Sequence, residues 1–110
     1  METARLQQLF HFLENSPGES FILFAIAKEY EGINQLDKAL GYYLKLTTDD
    51  PDYVGTYYHL GKLYEQLEQF EKAFQTYKTG MAVAKKIGDQ HALSELAGAK
   101  LNLGDEEDFE

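Results

Sequence analysis

Two stretches of this 110-residue chain set aromatic, lysine and glutamate side chains at helical spacing. Phe21, Phe24, Lys28 and Glu31 follow one another at steps of three and four, as do Tyr58, Lys62 and Glu65, with His59 beside them. Side chains so spaced share one face of a helix. Rings on such a face give contact area and lysine steers a carboxylate, which suits a segment with apolar side chains and an acidic residue. A plainer reading stands beside that one. Lys28–Glu31 and Lys62–Glu65 are i, i+3 pairs that solvate a helix, while Phe21 and Phe24 pack under an N-terminal helix against Phe10 or Phe12.

Groups that would carry catalysis are sparse. His11, His59 and His91 lie far apart and in no metal-binding spacing. There is no glycine-rich phosphate loop, no nucleophile elbow and no cysteine. The acidic runs at Asp49-Asp50-Asp52 and at 105–108 lack the ligand pattern of a calcium loop and read as turn and tail. No catalytic, metal or cofactor-binding residue is expected, no cofactor, and no enzyme. The formal net charge of −9 sets the overall field against phosphate backbones and anionic lipid, so neither nucleic acid nor membrane is an expected partner. A hydrophobic fraction of 44% with 14% aromatic residues is too high for a disordered chain. No basic start with an apolar run opens the sequence, and a cytoplasmic setting is expected.

The elements that place these side chains follow from a repeat. Shifting residues 26–43 forward by 34 places them on 60–77: Lys28 meets Lys62, Tyr30 meets Tyr64, Glu31 meets Glu65 and Tyr43 meets Tyr77. Gln35, Lys38 and Ala39 likewise meet Gln69, Lys72 and Ala73. A fixed period of this length means stacked copies of one supersecondary unit. Leu23, Ile26, Ala27 and Tyr30 form one apolar stripe at i, i+3, i+4, i+7, and Leu36, Ala39, Leu40 and Tyr43 form a second; both recur in the next copy. Each copy is thus two amphipathic helices joined by a short turn. Ser16-Pro17-Gly18-Glu19 has capping-box spacing, Asp50-Pro51 repeats the start, and Asn34 with Asp37 can cap the second helix. Residues 2–14 read as a second helix whose first is missing, and Gly88-Asp89 break the chain before one more helix to about Gly104. The acidic end, 105–110, is expected to fray.

At these residues the chain resembles the tetratricopeptide repeat family. That pattern has a large residue at position 4, Leu-Gly at 7–8, Tyr at 11, Ala at 20, an aromatic at 24, a small residue at 27 and Pro at 32. Residues 20–53 match with Leu23, Ile26-Ala27, Tyr30, Ala39, Tyr43 and Pro51, Leu46 departing from the small residue. Residues 54–87 match with Tyr57, Leu60-Gly61, Tyr64, Ala73, Tyr77 and Gly80, Lys85 departing from the proline. The resemblance implies an all-α, right-handed α-solenoid of antiparallel helix hairpins, about six helices in a single domain over 1–104. It also implies a concave face built by 19–31, 54–66 and 89–103, where Phe21, Phe24, Lys28, Glu31, Tyr58, His59, Lys62 and Glu65 would meet a partner peptide or protein. Members that clamp the C-terminal carboxylate of chaperone peptides carry a Lys/Asn/Arg set. The corresponding residues here are Phe24, Lys28, His59, Asp89 and Leu93, so that subfunction is not expected.

The expectation is a non-catalytic interaction module and scaffold, a monomer or weak homodimer. The alternative is a self-associating assembly subunit that dimerises through its terminal half-repeats. Residues 89–103 serve either as a cap or, through Leu93, Leu101 and Leu103, as a docking edge.

Overall fold

Helical spacing decides the secondary structure along the whole chain, and the computed structural model, which describes residues 2–109, is all-α. Its helices are α1 (Ala4–Asn15), α2 (Ser20–Gly32), α3 (Leu36–Asp49), α4 (Gly55–Gln66), α5 (Phe70–Ile87) and α6 (Gln90–Leu103), followed by a 3-10 turn at Glu106–Phe109. None of them is long and apolar enough to cross a membrane. The chain divides into two compact units at Tyr53/Val54.

In the first unit α2 and α3 form a hairpin, burying Leu23, Ile26, Ala27 and Tyr30 against Ala39, Tyr43 and Leu46. Helix α1 covers one flank with Leu6 and Leu9, and its Phe10 ring sits 6.3 Å from Tyr30 and 6.2 Å from Tyr42. Thr3 caps α1 by accepting from the Leu6 amide at 3.0 Å and donates to Glu29 at 3.2 Å, which ties the start of α1 to the end of α2.

The second unit repeats the hairpin with α4 and α5 and adds α6. Here the small residues matter most. A Cβ on Gly61 would lie 2.1 Å from Cε1 of Tyr77, and one on Gly80 would lie 2.5 Å from Cβ of Tyr57 and 3.0 Å from Leu96. The bare backbone therefore lets the buried Tyr77 ring rest on α4, and lets α4 and α6 reach α5. Ala27 takes the place of Gly61 in the first unit and is equally buried.

Helix ends differ from the sequence reading in three places. Ser16-Pro17 and Asp50-Pro51 do not start helices; Ser16 and Asp50 are the C-caps of α1 and α3, and α2 and α4 begin at Ser20 and Gly55. A proline just past a C-cap stops the preceding helix because it offers no amide to continue it. Asn34 does not cap α3. Asn34 and Glu68 both adopt left-handed backbone, φ 60° and 59°, closing Schellman turns in which Gln35 donates to the Tyr30 carbonyl at 2.9 Å and Gln69 to that of Tyr64 at 2.8 Å. Residues 105–109 of the acidic tail, expected to fray, fold back instead, and Glu110 lies outside the described residues. Gly104 turns the segment with φ 153°, Phe109 stacks on Phe74 at 4.5 Å, and Glu106 reaches Lys78 at 3.1 Å and Lys100 at 4.0 Å.

Glu68 pays a left-handed penalty that Asn34 largely avoids. Glu68→Asn is therefore expected to raise the unfolding free energy by about 0.5–1 kcal/mol, read as a higher urea midpoint at unchanged slope. A lower midpoint would contradict the assigned turn.

Candidate functional site

The stripe Tyr58, Lys62, Glu65 lies one residue on from the buried Tyr57, Gly61, Tyr64, about 100° around the helix. Tyr58 and Lys62 therefore turn toward α6, while Glu65 stays within reach of Tyr77 on α5. Asp89 starts α6 by accepting from the Ala92 amide at 2.9 Å, and buried Leu96 and Ala99 anchor it to the unit. Between the two helices lies a groove of about 240 Å³, lined by Tyr58 and Lys62 of α4 and by Ser94, Glu95, Gly98 and Asn102 of α6.

The groove's α4 wall is held by neighbours. Lys62 Nζ sits 5.6 Å from the Tyr58 ring centre and 3.8 Å from a Glu65 oxygen. The His59 ring meets Tyr58 edge-on at 5.5 Å. Glu65 in turn accepts a hydrogen bond from the Tyr77 hydroxyl, so its carboxylate is fixed from below and Lys62 from the side. Across the groove, a Cβ on Gly98 would meet nothing within 4 Å, leaving room for another backbone to approach.

The tyrosine–glutamate bond recurs in the first unit. Glu31 accepts from the Tyr43 hydroxyl, and the Phe24 ring packs 6.0 Å from Tyr43 and 5.8 Å from Tyr53. Lys28 is exposed on the next turn. Tyr43 thus gathers Phe24 and Glu31. Phe21 does not join them; it lines a separate depression between α1 and α2 with Leu9, Phe12, Ile22 and Ala25.

Sequence reasoning took Tyr43 and Tyr77 as core filling and missed their grip on Glu31 and Glu65. A signal was there: each pair is separated by 12 residues in both copies. It named 89–103 as part of the face but not Ser94, Glu95, Gly98 or Asn102 individually, because polar residues on a terminal helix show no periodicity of their own. Among the described residues no group of three or more His, Cys, Asp or Glu is set to hold a metal ion.

Burial pushes the phenols of Tyr43 and Tyr77 well above the usual tyrosine range, and their hydrogen bonds to Glu31 and Glu65 reinforce it, since a phenolate beside a carboxylate is doubly disfavoured. Tyr30 is pushed up to about 12, first by burial and then by its bond to Glu2 at 2.8 Å.

Comparison with known proteins gives a consistent result. A family profile described as Tetratricopeptide repeat matches residues 54–86. A solution structure of a tetratricopeptide repeat domain protein from Salinibacter ruber is 43% identical, with a TM-score of 0.79 over 86% of this chain and 96% of that one. A crystal structure of a tetratricopeptide repeat domain protein from the same organism is 46% identical, with a TM-score of 0.75 over 77% and 96%. The TPR2B domain of yeast Sti1, solved in complex with pHsp70, is 11% identical and shares the fold, with a TM-score of 0.82 over 89% and 78%. No curated protein matches the chain.

The raised phenols set an alkaline limit. A neutral phenol is what the fold stabilises, so the contribution is complete below the unfolded value near 10 and fades as pH climbs through the folded values. Thermal midpoints should hold level from neutral pH to about 9.5 and then fall, with Tyr43 and Tyr77 ionising only as the chain unfolds. Phenolate absorbance that titrates fully near 10 with the helices intact would contradict this.

Proposed function

Because the chain belongs to the tetratricopeptide repeat family, we propose that it is a non-catalytic protein-interaction module that holds a partner segment in the groove between α4 and α6. The observation that carries this reading is the mixed lining of that groove. Tyr58 supplies apolar ring area, Lys62 a cation already oriented by its neighbours, and Gly98 an open stretch of helix backbone. Ser94, Glu95 and Asn102 add hydrogen-bonding groups that suit the main chain of an extended peptide. The yeast Sti1 domain complexed with pHsp70 supports a protein ligand for this fold.

The segment that fits is one with an apolar or aromatic side chain next to an acidic residue. Its ring would pack on Tyr58 and its carboxylate would compete with Glu65 for Lys62. His59 and Glu65 would position these two groups rather than contact the ligand widely. In the first unit Phe24, Lys28 and Glu31 offer the same pairing of ring, cation and fixed carboxylate. The net charge of −9 slows the approach of an acidic segment, so association should quicken with added salt.

Peptides selected from a displayed random library, measured by fluorescence anisotropy, test the reading. Lys62→Glu and Gly98→Trp should each weaken binding at least about tenfold, the scale of one anchoring contact, while circular dichroism stays unchanged. Peptides bound equally by the native chain and both variants would refute the groove as the site.

A further inference from the structure

The 3-10 turn at Glu106–Phe109 lies on the second unit and belongs to neither hairpin. In such a turn residues three apart eclipse, so Glu106 and Phe109 share one side. Phe109 stacks on Phe74 with ring centres 4.5 Å apart and planes 19° from parallel. Glu106 gives one carboxylate oxygen to Lys78 at 3.1 Å and the other to Lys100 at 4.0 Å. The turn is also braced from within. The Asp105 amide donates to the Asp108 carboxylate at 3.0 Å, and the Glu107 amide to that of Asp105 at 3.0 Å. It thus holds its own shape and rests on α5 and α6 through a ring and a carboxylate.

The surface beneath is not a product of the repeat. One period of 34 residues earlier, Phe74 and Lys78 are replaced by Leu40 and Leu44, and Lys100 by Gln66. Leu40 is left half-buried by its own unit, whereas Phe74 is fully buried with Phe109 over it. Lys78 and Lys100 stand 5.9 Å and 4.9 Å from the Phe74 ring centre. Two ammonium groups drawn to one ring repel each other until a carboxylate comes between them. With the turn lifted, α5 and α6 present an apolar ring flanked by two cations, a surface that suits a ring and an anion together. On α6, Lys100 lies about 120° or more around the helix from Ser94, Gly98 and Asn102, which sets this surface apart from the groove toward α4.

The contact that keeps the turn down is small. A stacked ring pair and ion pairs with exposed members are individually weak, and releasing them unfolds neither helix. Gly104 is the pivot. Its φ of 153° brings the backbone so close that a Cβ there would lie 2.8 Å from the Asp108 carboxylate and 2.9 Å from the Phe109 ring. We propose that 105–109 is a displaceable internal ligand, and that Phe74, Lys78 and Lys100 form a second docking surface for a partner protein segment of the same chemistry, a carboxylate three residues before an aromatic ring. The tethered copy is always at hand, so it competes with the partner and acts as a cover that the partner displaces.

The probe is a fluorescent, C-terminally amidated peptide copying residues 103–109, titrated against the full chain by anisotropy. Two variants lift the turn by different routes. Phe109→Ala removes the ring, and Gly104→Ala expels the turn with its ring and carboxylate intact. Each should bind the peptide about tenfold more tightly than the native chain does, the ratio for a cover that leaves the site free about one tenth of the time. Adding Lys78→Glu and Lys100→Glu to either variant should abolish binding, with circular dichroism unchanged throughout. A peptide with its last two residues exchanged loses the three-residue spacing and should not bind. Equal binding by the native chain and both opened variants, or no binding by any of them, would overturn the proposal. So would binding lost with Lys62→Glu but kept with Lys78→Glu, which puts the peptide in the α4–α6 groove instead.

Discussion

In each hairpin a tyrosine from the second helix is driven completely into the gap between the pair, and its hydroxyl is tied to a glutamate at the end of the first helix. Tyr43 with Glu31 and Tyr77 with Glu65 are the two instances. The ring needs a small residue opposite, which Gly61 supplies in the second unit and Ala27 in the first. The hydroxyl needs an acceptor, because an unpaired phenol at that depth would cost about 1–3 kcal/mol. Interhelical distance and the orientation of a surface carboxylate are thus settled by one side chain.

That coupling links packing to the surface the helices present. Glu31 and Glu65 stand on the helix face carrying Lys28 and Lys62, and their inner oxygens are occupied by the tyrosines. In the second unit the outer face that remains is Lys62 beside the Tyr58 ring, held rather than floppy. A rigid, mixed surface of this kind loses little side-chain entropy when a segment settles on it. The groove against α6 exists because Gly80 and Leu96 bring α6 close to α5 while leaving Gly98 bare on the other side.

The hairpins were legible in the sequence because both helices of each copy carry their apolar residues at one period, and the copies match residue for residue through Lys28/Lys62, Tyr30/Tyr64 and Tyr43/Tyr77. The helix ends were less so. Pro17 and Pro51 are compatible with starting a helix or stopping one, and only the caps at Ser16 and Asp50 decide. Glu68 held the left-handed turn without any local signal, since side-chain type there is overruled by the turn that Gln69 closes. The tail was misjudged on its charge. Gly104 and Phe109 outweigh four acidic neighbours because a stacked ring and two lysines offset the cost of ordering a short turn. Of the α4–α6 groove, Tyr58 and Lys62 were visible as a stripe, whereas its α6 wall emerges only from tertiary placement.

The tyrosine wedge is tested most directly by the sign of one substitution. In an isolated helix Ala is better than Gly by about 1 kcal/mol, so helix propensity alone makes Gly61→Ala stabilising. If the Tyr77 ring rests on bare backbone, the added methyl must displace it, and Gly61→Ala should instead lose about 1–3 kcal/mol in urea unfolding. A variant more stable than the native chain would show that the ring does not sit there and would contradict the account.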